Sequence, residues 1–172
     1  MEGVKPFTIM RKDAEVMRVD FDAMQYEVLD ETYLPYPIRG KLREAPDPRL
    51  IKSSYDMTQF LLAARKNEEA VVSWLAGRVL LLSRANAKWI YNLFRFEQVE
   101  TDEQRVKIAM TCRAASVLDP YWLKFEDDRD ITWSQVDIRQ NPLNEIVAQV
   151  ALHGKSLTLR GSPVTPELTT NG

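Results

Sequence analysis

The sequence predicts an α+β fold, in which a small N-terminal antiparallel sheet is followed by a bundle of four to five helices and a short C-terminal strand. Apolar and polar residues alternate between positions 6 and 30, which is the pattern of half-buried strands. Between positions 56 and 153 apolar residues recur every three or four positions, as in amphipathic helices. A proline-rich stretch separates the two patterns. The chain therefore divides into a β-rich subdomain at 1–55, a helical subdomain at 56–155, and a short strand with a tail at 156–172.

The predicted strands are three short runs, at residues 7–11, 16–21 and 26–29. Two or three polar residues separate one run from the next, as in an antiparallel meander. Residues 33–48 then contain four prolines and one glycine. No helix or central strand tolerates that density, so this stretch is predicted to be a loop or linker.

Capping signals predict two helices after this loop. Asp56, with Gln59 three residues later, has the pattern of a capping box and predicts a helix that runs to Lys66. Asn67, followed by two glutamates, is the predicted cap of a second helix. Gly77 stands where the glycine that ends this helix is expected.

Three more helices are predicted downstream. Ser83 is the predicted cap of one, and Thr101 with Gln104 begins another, which is expected to close at Pro120. Asn141 begins the last, because apolar residues follow at helical spacing. These apolar residues are Leu143, Ile146, Val147, Val150 and Ala151. A short strand at 156–160 and a polar tail are expected after that helix.

Charge and cysteine content exclude several classes of protein. The chain has 172 residues with 23 basic and 25 acidic side chains, and a net charge of −2 gives no general attraction to nucleic acid or to an anionic membrane. Cys112 is the only cysteine, so no internal disulfide is possible. No run of about 18 apolar residues occurs, and no signal peptide is recognisable. We therefore expect a cytoplasmic protein without a membrane partner.

The residues that could perform catalysis or bind a metal are few. His153 is the only histidine, so the sequence does not provide a metal site built from cysteine and histidine. The acidic stretch at 126–130 lacks the ligand spacing of a calcium loop and is expected to be a solvated turn. Cys112 lies among apolar residues, as an inert buried thiol does. No catalytic residue and no metal ligand is assigned.

A weaker pattern favours DNA binding as an alternative. The segment from Gly77 to Arg84 lies between two predicted helices and has the outline of a helix-turn-helix corner. Arg84 and Lys88 would lie near the start of the second of these helices, where recognition helices contact bases. Residues 58–118, which include this segment, contain nine basic and six acidic side chains, an excess of only three. Nucleic acid is therefore a possible but less favoured partner.

Four segments resemble, in order, the motifs of one protein family. Residues 74–84 resemble a W-x-x-x-R…S-R pattern, and residues 118–122 resemble an L-x-D-x-Y-W pattern. Residues 131–143 resemble a W-x-x-V-N-x-x-x-N-x-F segment, and residues 165–172 a T-P-E-L-T-T-x-G run. Together they are similar to the N-terminal region of HipA-like serine/threonine kinases, in the form common in low-GC Gram-positive bacteria and their prophages. The resemblance covers about residues 60–172.

Three positions depart from the family pattern. Asp137 stands where the pattern has asparagine, Leu143 where it has phenylalanine, and Leu80 where proline is usual. These differences indicate a divergent member.

The resemblance implies where nucleotide would bind. In the family, the last motif leads into the nucleotide-binding loop of a kinase fold. The resemblance therefore implies that the edge of a possible phosphate loop is formed by four residues, Thr169, Thr170, Asn171 and Gly172. The groups that hold magnesium and orient the nucleophile lie further on in the family. No cofactor is therefore expected for this chain alone, and ATP and Mg²⁺ are expected only with a kinase lobe.

The function implied by the resemblance is that of a non-catalytic recognition or regulatory module of a toxin-type kinase, which acts by protein–protein binding. Its partner would be the kinase lobe that the chain lacks, whether the chain is a fragment of a longer kinase or a free-standing domain. A phage-encoded protein that binds and modulates a host complex is a further alternative. The candidate partner-binding residues are Trp74, Arg78, Arg84, Trp122 and Trp133, since tryptophan and arginine are enriched at interface hot spots.

Overall fold

The structure, a computed structural model, describes residues 3–79, 83, 88, 91–92, 99–116, 118–128 and 130–140. Over these residues the chain forms a four-stranded antiparallel sheet and three α-helices, which confirms the predicted α+β class. The larger bundle of four to five helices is not confirmed there. The predicted helix after Asn141 and the predicted strand at 156–160 lie outside the described residues. None of the helices in the described ranges is long and apolar enough to cross a membrane.

The sheet contains the predicted meander and one strand that was not predicted. Strands β1 (Phe7–Arg11), β2 (Ala14–Asp20) and β3 (Gln25–Val28) follow one another along the chain. Strand β4 (Tyr121–Phe125) joins the other side of β1 and gives the order β3-β2-β1-β4. The sequence placed the end of a helix at this segment, and that interpretation is wrong.

Helix α1 (Ser54–Ala76) is a single helix of 23 residues, so the predicted break between Lys66 and Asn67 is wrong. Its N-cap is Ser53, whose hydroxyl accepts from the N–H of Asp56 while the Asp56 carboxylate accepts from the N–H of Ser53. Asp56 is thus the third residue of the capping box and not its cap. Gly77 ends the helix with a right-handed φ of −68°, so its position does not depend on the freedom of glycine.

Helix α2 (Asp102–Thr111) begins with the predicted capping box and ends earlier than predicted. The hydroxyl of Thr101 accepts from the N–H of Gln104, whose side chain accepts from the N–H of Thr101. The helix ends because Arg113 and Ala114 adopt left-handed φ values of +52° and +47°, well before Pro120. The reversal directs the chain toward β4. Helix α3 (Trp133–Val136) is a single turn.

The two faces of the sheet cover different groups of residues. On one face, the main core joins strand residues such as Ile9 and Met17 to Val71 and Leu75 of α1 and to Val106 of α2. This core includes residues from both sides of the predicted subdomain boundary at 55/56. On the other face, a smaller cluster consists of Met10, Cys112, Ala115, Trp122, Trp133, Val136 and Ile138.

The proline-rich loop is packed against the domain rather than extended as a free linker. Two short 3-10 turns, Glu31–Tyr33 and Pro48–Leu50, flank it, and Leu34 and Ile38 are buried in the main core. The side-chain amide of Asn67 in α1 holds the loop at a second point. Its oxygen accepts from the N–H of Arg43 at 2.7 Å, and its nitrogen donates to the Arg43 carbonyl at 2.9 Å.

Candidate functional site

A buried charged junction forms at the C-terminal end of α1. The guanidinium of Arg78 donates to both carboxylate oxygens of Asp119, at 2.9 and 2.8 Å. It also donates to the carbonyls of Ala114 and Tyr121. Arg78 has only 6% of its surface exposed. The junction therefore ties α1, the turn after α2 and the start of β4 together.

Aromatic rings enclose this junction. The Cζ atom of Arg78 lies 4.8 Å from the centroid of the Trp74 ring, within the range of a cation–π interaction. The rings of Trp74 and Tyr121 meet edge to face, with their centroids 6.3 Å apart. The structure thus brings together residues of the first two family-like motifs, which are about 40 positions apart in the sequence. Asp119, which the sequence analysis did not assign, is the acidic partner of Arg78.

The candidate tryptophans lie in the interior. Trp74, Trp122 and Trp133 are all buried. The indole N–H of Trp122 donates to the carbonyl of Lys12 at 2.8 Å, and the backbone N–H of Trp133 donates to the Asp13 carboxylate at 2.7 Å. As the domain stands, these rings contact its own core, so a partner could reach them only if the core opened.

The remaining candidate positions are not described. Arg84 and the predicted edge of a phosphate loop, Thr169, Thr170, Asn171 and Gly172, lie outside the described residues, as does His153.

A second charged pair lies at the other end of β4. Arg113 donates to both carboxylate oxygens of Asp128, the longer of these bonds measuring 2.9 Å. Asp128 also accepts from the N–H of Phe125 at 2.8 Å. Burial opposes ionisation of Asp128, but the hydrogen bonds from Arg113 and Phe125 outweigh it and lower its pKa. Asp128 is buried, so only part of the acidic stretch at 126–130 is the solvated turn that was predicted.

The described residues offer little reactive chemistry. They include no group of three or more histidine, cysteine or acidic side chains arranged to hold a metal ion. Burial raises the pKa of the Cys112 thiol to about 11. Cys112 is therefore protonated near neutral pH and does not act as a nucleophile.

An exposed apolar surface is the feature that the sequence analysis missed. The side of α1 that faces the core carries Ala63, Asn67, Ala70 and Trp74, all buried. In the first turns of the same helix, apolar residues occupy the other sides as well. Tyr55 is 70% exposed and Leu62 is 52% exposed, and Met57 and Leu61 are also exposed. We call these four residues the α1 apolar surface.

A helical projection of residues 54–62 would have revealed this surface. Tyr55 and Leu62 are seven residues apart, so they share one side of the helix, on the side away from the buried residues. Met57 and Leu61, four residues apart, lie on a second side of the helix, with the polar Thr58 between the two pairs.

No protein-family model, curated protein or solved structure matches this chain.

Proposed function

We propose that this chain is a non-catalytic recognition or regulatory module of a HipA-like serine/threonine kinase, and that it acts by protein–protein binding. The observation that carries the proposal is the α1 apolar surface, because four large apolar side chains are exposed within the first three turns of one helix, where a partner would cover them. The partner is a kinase lobe, in the same polypeptide or in a separate chain.

The junction at Arg78 supports the resemblance on which the kinase assignment rests. Trp74 and Arg78 belong to one family-like motif, and Asp119 and Tyr121 belong to the next. Motifs that occur together in one structural unit are expected to contact one another, and these do so through two carboxylate hydrogen bonds and two ring contacts. In this proposal the junction holds the module together and the α1 apolar surface binds the partner.

The module itself needs neither ATP nor magnesium in this proposal. A kinase lobe supplies the groups that bind the nucleotide and the metal and that transfer the phosphoryl group. We expect the purified chain to show no ATP hydrolysis and no protein phosphorylation.

Site-specific photo-crosslinking in cells tests the proposed function. A photoreactive phenylalanine analogue at position 55 should capture one discrete protein, whereas the same analogue at Lys107, an exposed position of α2, should not. Binding of the purified captured protein should then weaken at least about tenfold in Leu62→Glu, because a central apolar contact contributes more than about 1.4 kcal/mol. Since Leu62 is exposed, the stability of the variant should match that of the wild type.

The DNA-binding alternative predicts binding to DNA and no discrete protein crosslink from position 55. It requires binding to duplex DNA that weakens steeply with salt and that depends on Arg84. Gel shifts at two salt concentrations with the wild type and Arg84→Ala distinguish the two. Sequence-selective DNA binding lost in Arg84→Ala, with no discrete crosslink from position 55, would refute the proposed function.

A further inference from the structure

The two edges of the sheet differ in how their main-chain groups are satisfied. Along the outer edge of β4, the N–H groups of Tyr121, Leu123 and Phe125 all donate within the chain. Their acceptors are the Asp119 carboxylate, the Arg113 carbonyl and the Asp128 carboxylate, at 3.1, 2.7 and 2.8 Å. This edge is therefore closed to another strand.

The edge at β3 has a different arrangement. The N–H of Leu29 donates to the Val16 carbonyl at 2.9 Å. Because hydrogen-bonded pairs alternate along an antiparallel ladder, the main-chain groups of Glu27 face β2, and those of Tyr26 and Val28 face away from it. No strand among the described residues lies on that side of β3.

The side chains along this edge are apolar and partly exposed. Met24 is 43% exposed and Val28 is 39% exposed. Tyr26 lies between them, and its hydroxyl oxygen is buried without a hydrogen-bond partner among the described residues. With residues 42–45 they line a groove of about 330 Å³ beside the strand. Strand β3 contains no lysine, proline or bulge that would block pairing, although it is short and carries the charged Glu27.

We propose that two copies of this chain pair through their β3 edges, antiparallel, with Tyr26 on the two-fold axis. Tyr26 then exchanges two main-chain hydrogen bonds with Tyr26 of the second copy. Gln25 lies opposite Glu27 of the second copy. Met24, the turn residue before β3 whose N–H donates to the Phe21 carbonyl, lies opposite Val28 of the second copy. Apolar residues therefore meet apolar residues, and an amide that can donate meets a carboxylate.

Neighbouring registers are less favourable. An axis at Glu27 would place two carboxylates directly opposite each other, which is destabilising. An axis between Tyr26 and Glu27 forms no ladder, because it would set outward-facing residues opposite residues whose main-chain groups face β2. A second copy is the occupant that we assign, since its strand is complementary to β3 in the register centred on Tyr26. The two four-stranded sheets become one continuous sheet of eight strands.

The interface is small, because each strand has only four residues. We expect an equilibrium between monomer and dimer that depends on protein concentration, as is usual for interfaces below about 1,200 Å². The α1 apolar surface is not part of this interface, so the dimer does not depend on the proposed function.

A charge-swap experiment tests the register. Met24→Lys/Val28→Lys places lysine opposite lysine, and Met24→Glu/Val28→Glu places glutamate opposite glutamate, so each variant should be monomeric in sedimentation velocity. An equal mixture of the two should form a heterodimer, because every substituted pair is then oppositely charged. The control Leu50→Lys/Leu118→Lys changes two exposed apolar residues elsewhere and should dimerise as the wild type does. Circular dichroism checks that all variants are folded.

Disulfide trapping provides a second test that does not use charge. In Tyr26→Cys the new thiol faces itself across the axis, where Cα atoms of a hydrogen-bonded pair are about 5.5 Å apart and a disulfide can form. Gln25→Cys faces Glu27 of the second copy and should cross-link far less. The native Cys112 is buried and should not contribute. A wild type that stays monomeric at every soluble concentration, or a dimer that survives in both charge variants, would overturn the proposal.

Discussion

Arg78 is charged and nearly buried, and its environment explains how the fold accommodates it. Its guanidinium donates to a carboxylate and to two carbonyls and stacks on Trp74. A guanidinium can make these contacts at once because its donors form a rigid planar fork, which the ammonium group of lysine lacks. The positions of its partners therefore require an arginine here, and a positive charge alone would not be sufficient.

Replacing Arg78 should destabilise the domain strongly. We expect Arg78→Lys to lower the free energy of unfolding by about 2–4 kcal/mol, because the paired donors are lost and Asp119 is left poorly partnered. Urea denaturation measures this difference. Arg65→Lys is the matched control, since Arg65 makes only an exposed ion pair with Glu69 and the change should be within error. If Arg78→Lys changed the free energy of unfolding as little as the control does, the junction would contribute little to stability.

The pair of Asp128 and Arg113 should make stability depend on pH. The pKa of Asp128 is lowered in the folded state, so the unfolded state binds its proton at higher pH. The stability that this carboxylate contributes is present above about pH 5 and is lost as the pH falls through the lowered pKa. The free-energy difference between wild type and Asp128→Asn should therefore shrink between pH 5 and pH 3.

Unfolding experiments at several pH values measure this difference. Asp127→Asn is the control, because Asp127 is the exposed neighbour of Asp128 and pairs with Lys5 at the surface. A difference for Asp128→Asn that stays constant down to pH 3 would contradict the prediction.

At the scale of single elements, the sequence predicted those features whose formation depends on residues close together in the chain. The β1–β2–β3 meander and the capping box at Thr101 depend on residues a few positions apart, and both are confirmed. Strand β4 was missed because its stability comes from pairing with β1, more than 100 positions away. Asp119 was likewise missed as the partner of Arg78, because the two residues are 41 positions apart in the sequence.

The error at Asn67 has a tertiary cause. Asparagine followed by two glutamates resembles a helix start, but the asparagine amide serves a different purpose here. It is buried within α1 and makes two hydrogen bonds to the main chain of Arg43. No pattern within the helix itself could indicate a partner that lies 24 positions upstream.

Removing this amide should release the loop. We expect Asn67→Ala to lower the free energy of unfolding by about 1–3 kcal/mol, because two hydrogen bonds are lost in a part-buried site. Hydrogen exchange at the Arg43 amide should become faster, since its acceptor is gone. Gln59→Ala, an exposed amide on the same helix, is the control and should change neither quantity. Unchanged exchange at Arg43 would indicate that other contacts hold the loop.

At the scale of the whole molecule, each face of the sheet is covered by a different group of elements. Helices α1 and α2 and the proline-rich loop cover one face, and the residues around α3 cover part of the other. The remaining part of that second face is polar, with Thr8, Arg18, Glu27 and Lys124 along a shallow groove.

The sequence predicted the fold class because alternation and helical spacing are properties of each segment. It did not predict the second apolar cluster, whose members come from segments far apart in the chain.

The pairing of β1 with β4 also affects the order of events during synthesis. Val28 ends the meander, and 97 further residues must be added before Phe125 completes β4. At 5–20 residues per second this interval lasts about 5–20 s, during which the outer edge of β1 has no partner strand from this sheet. The nascent N-terminal segment is therefore exposed to mispairing, and a contact of such long range is expected to slow folding. A cell that makes this protein would gain from a chaperone that shields β1 until the ribosome has released β4.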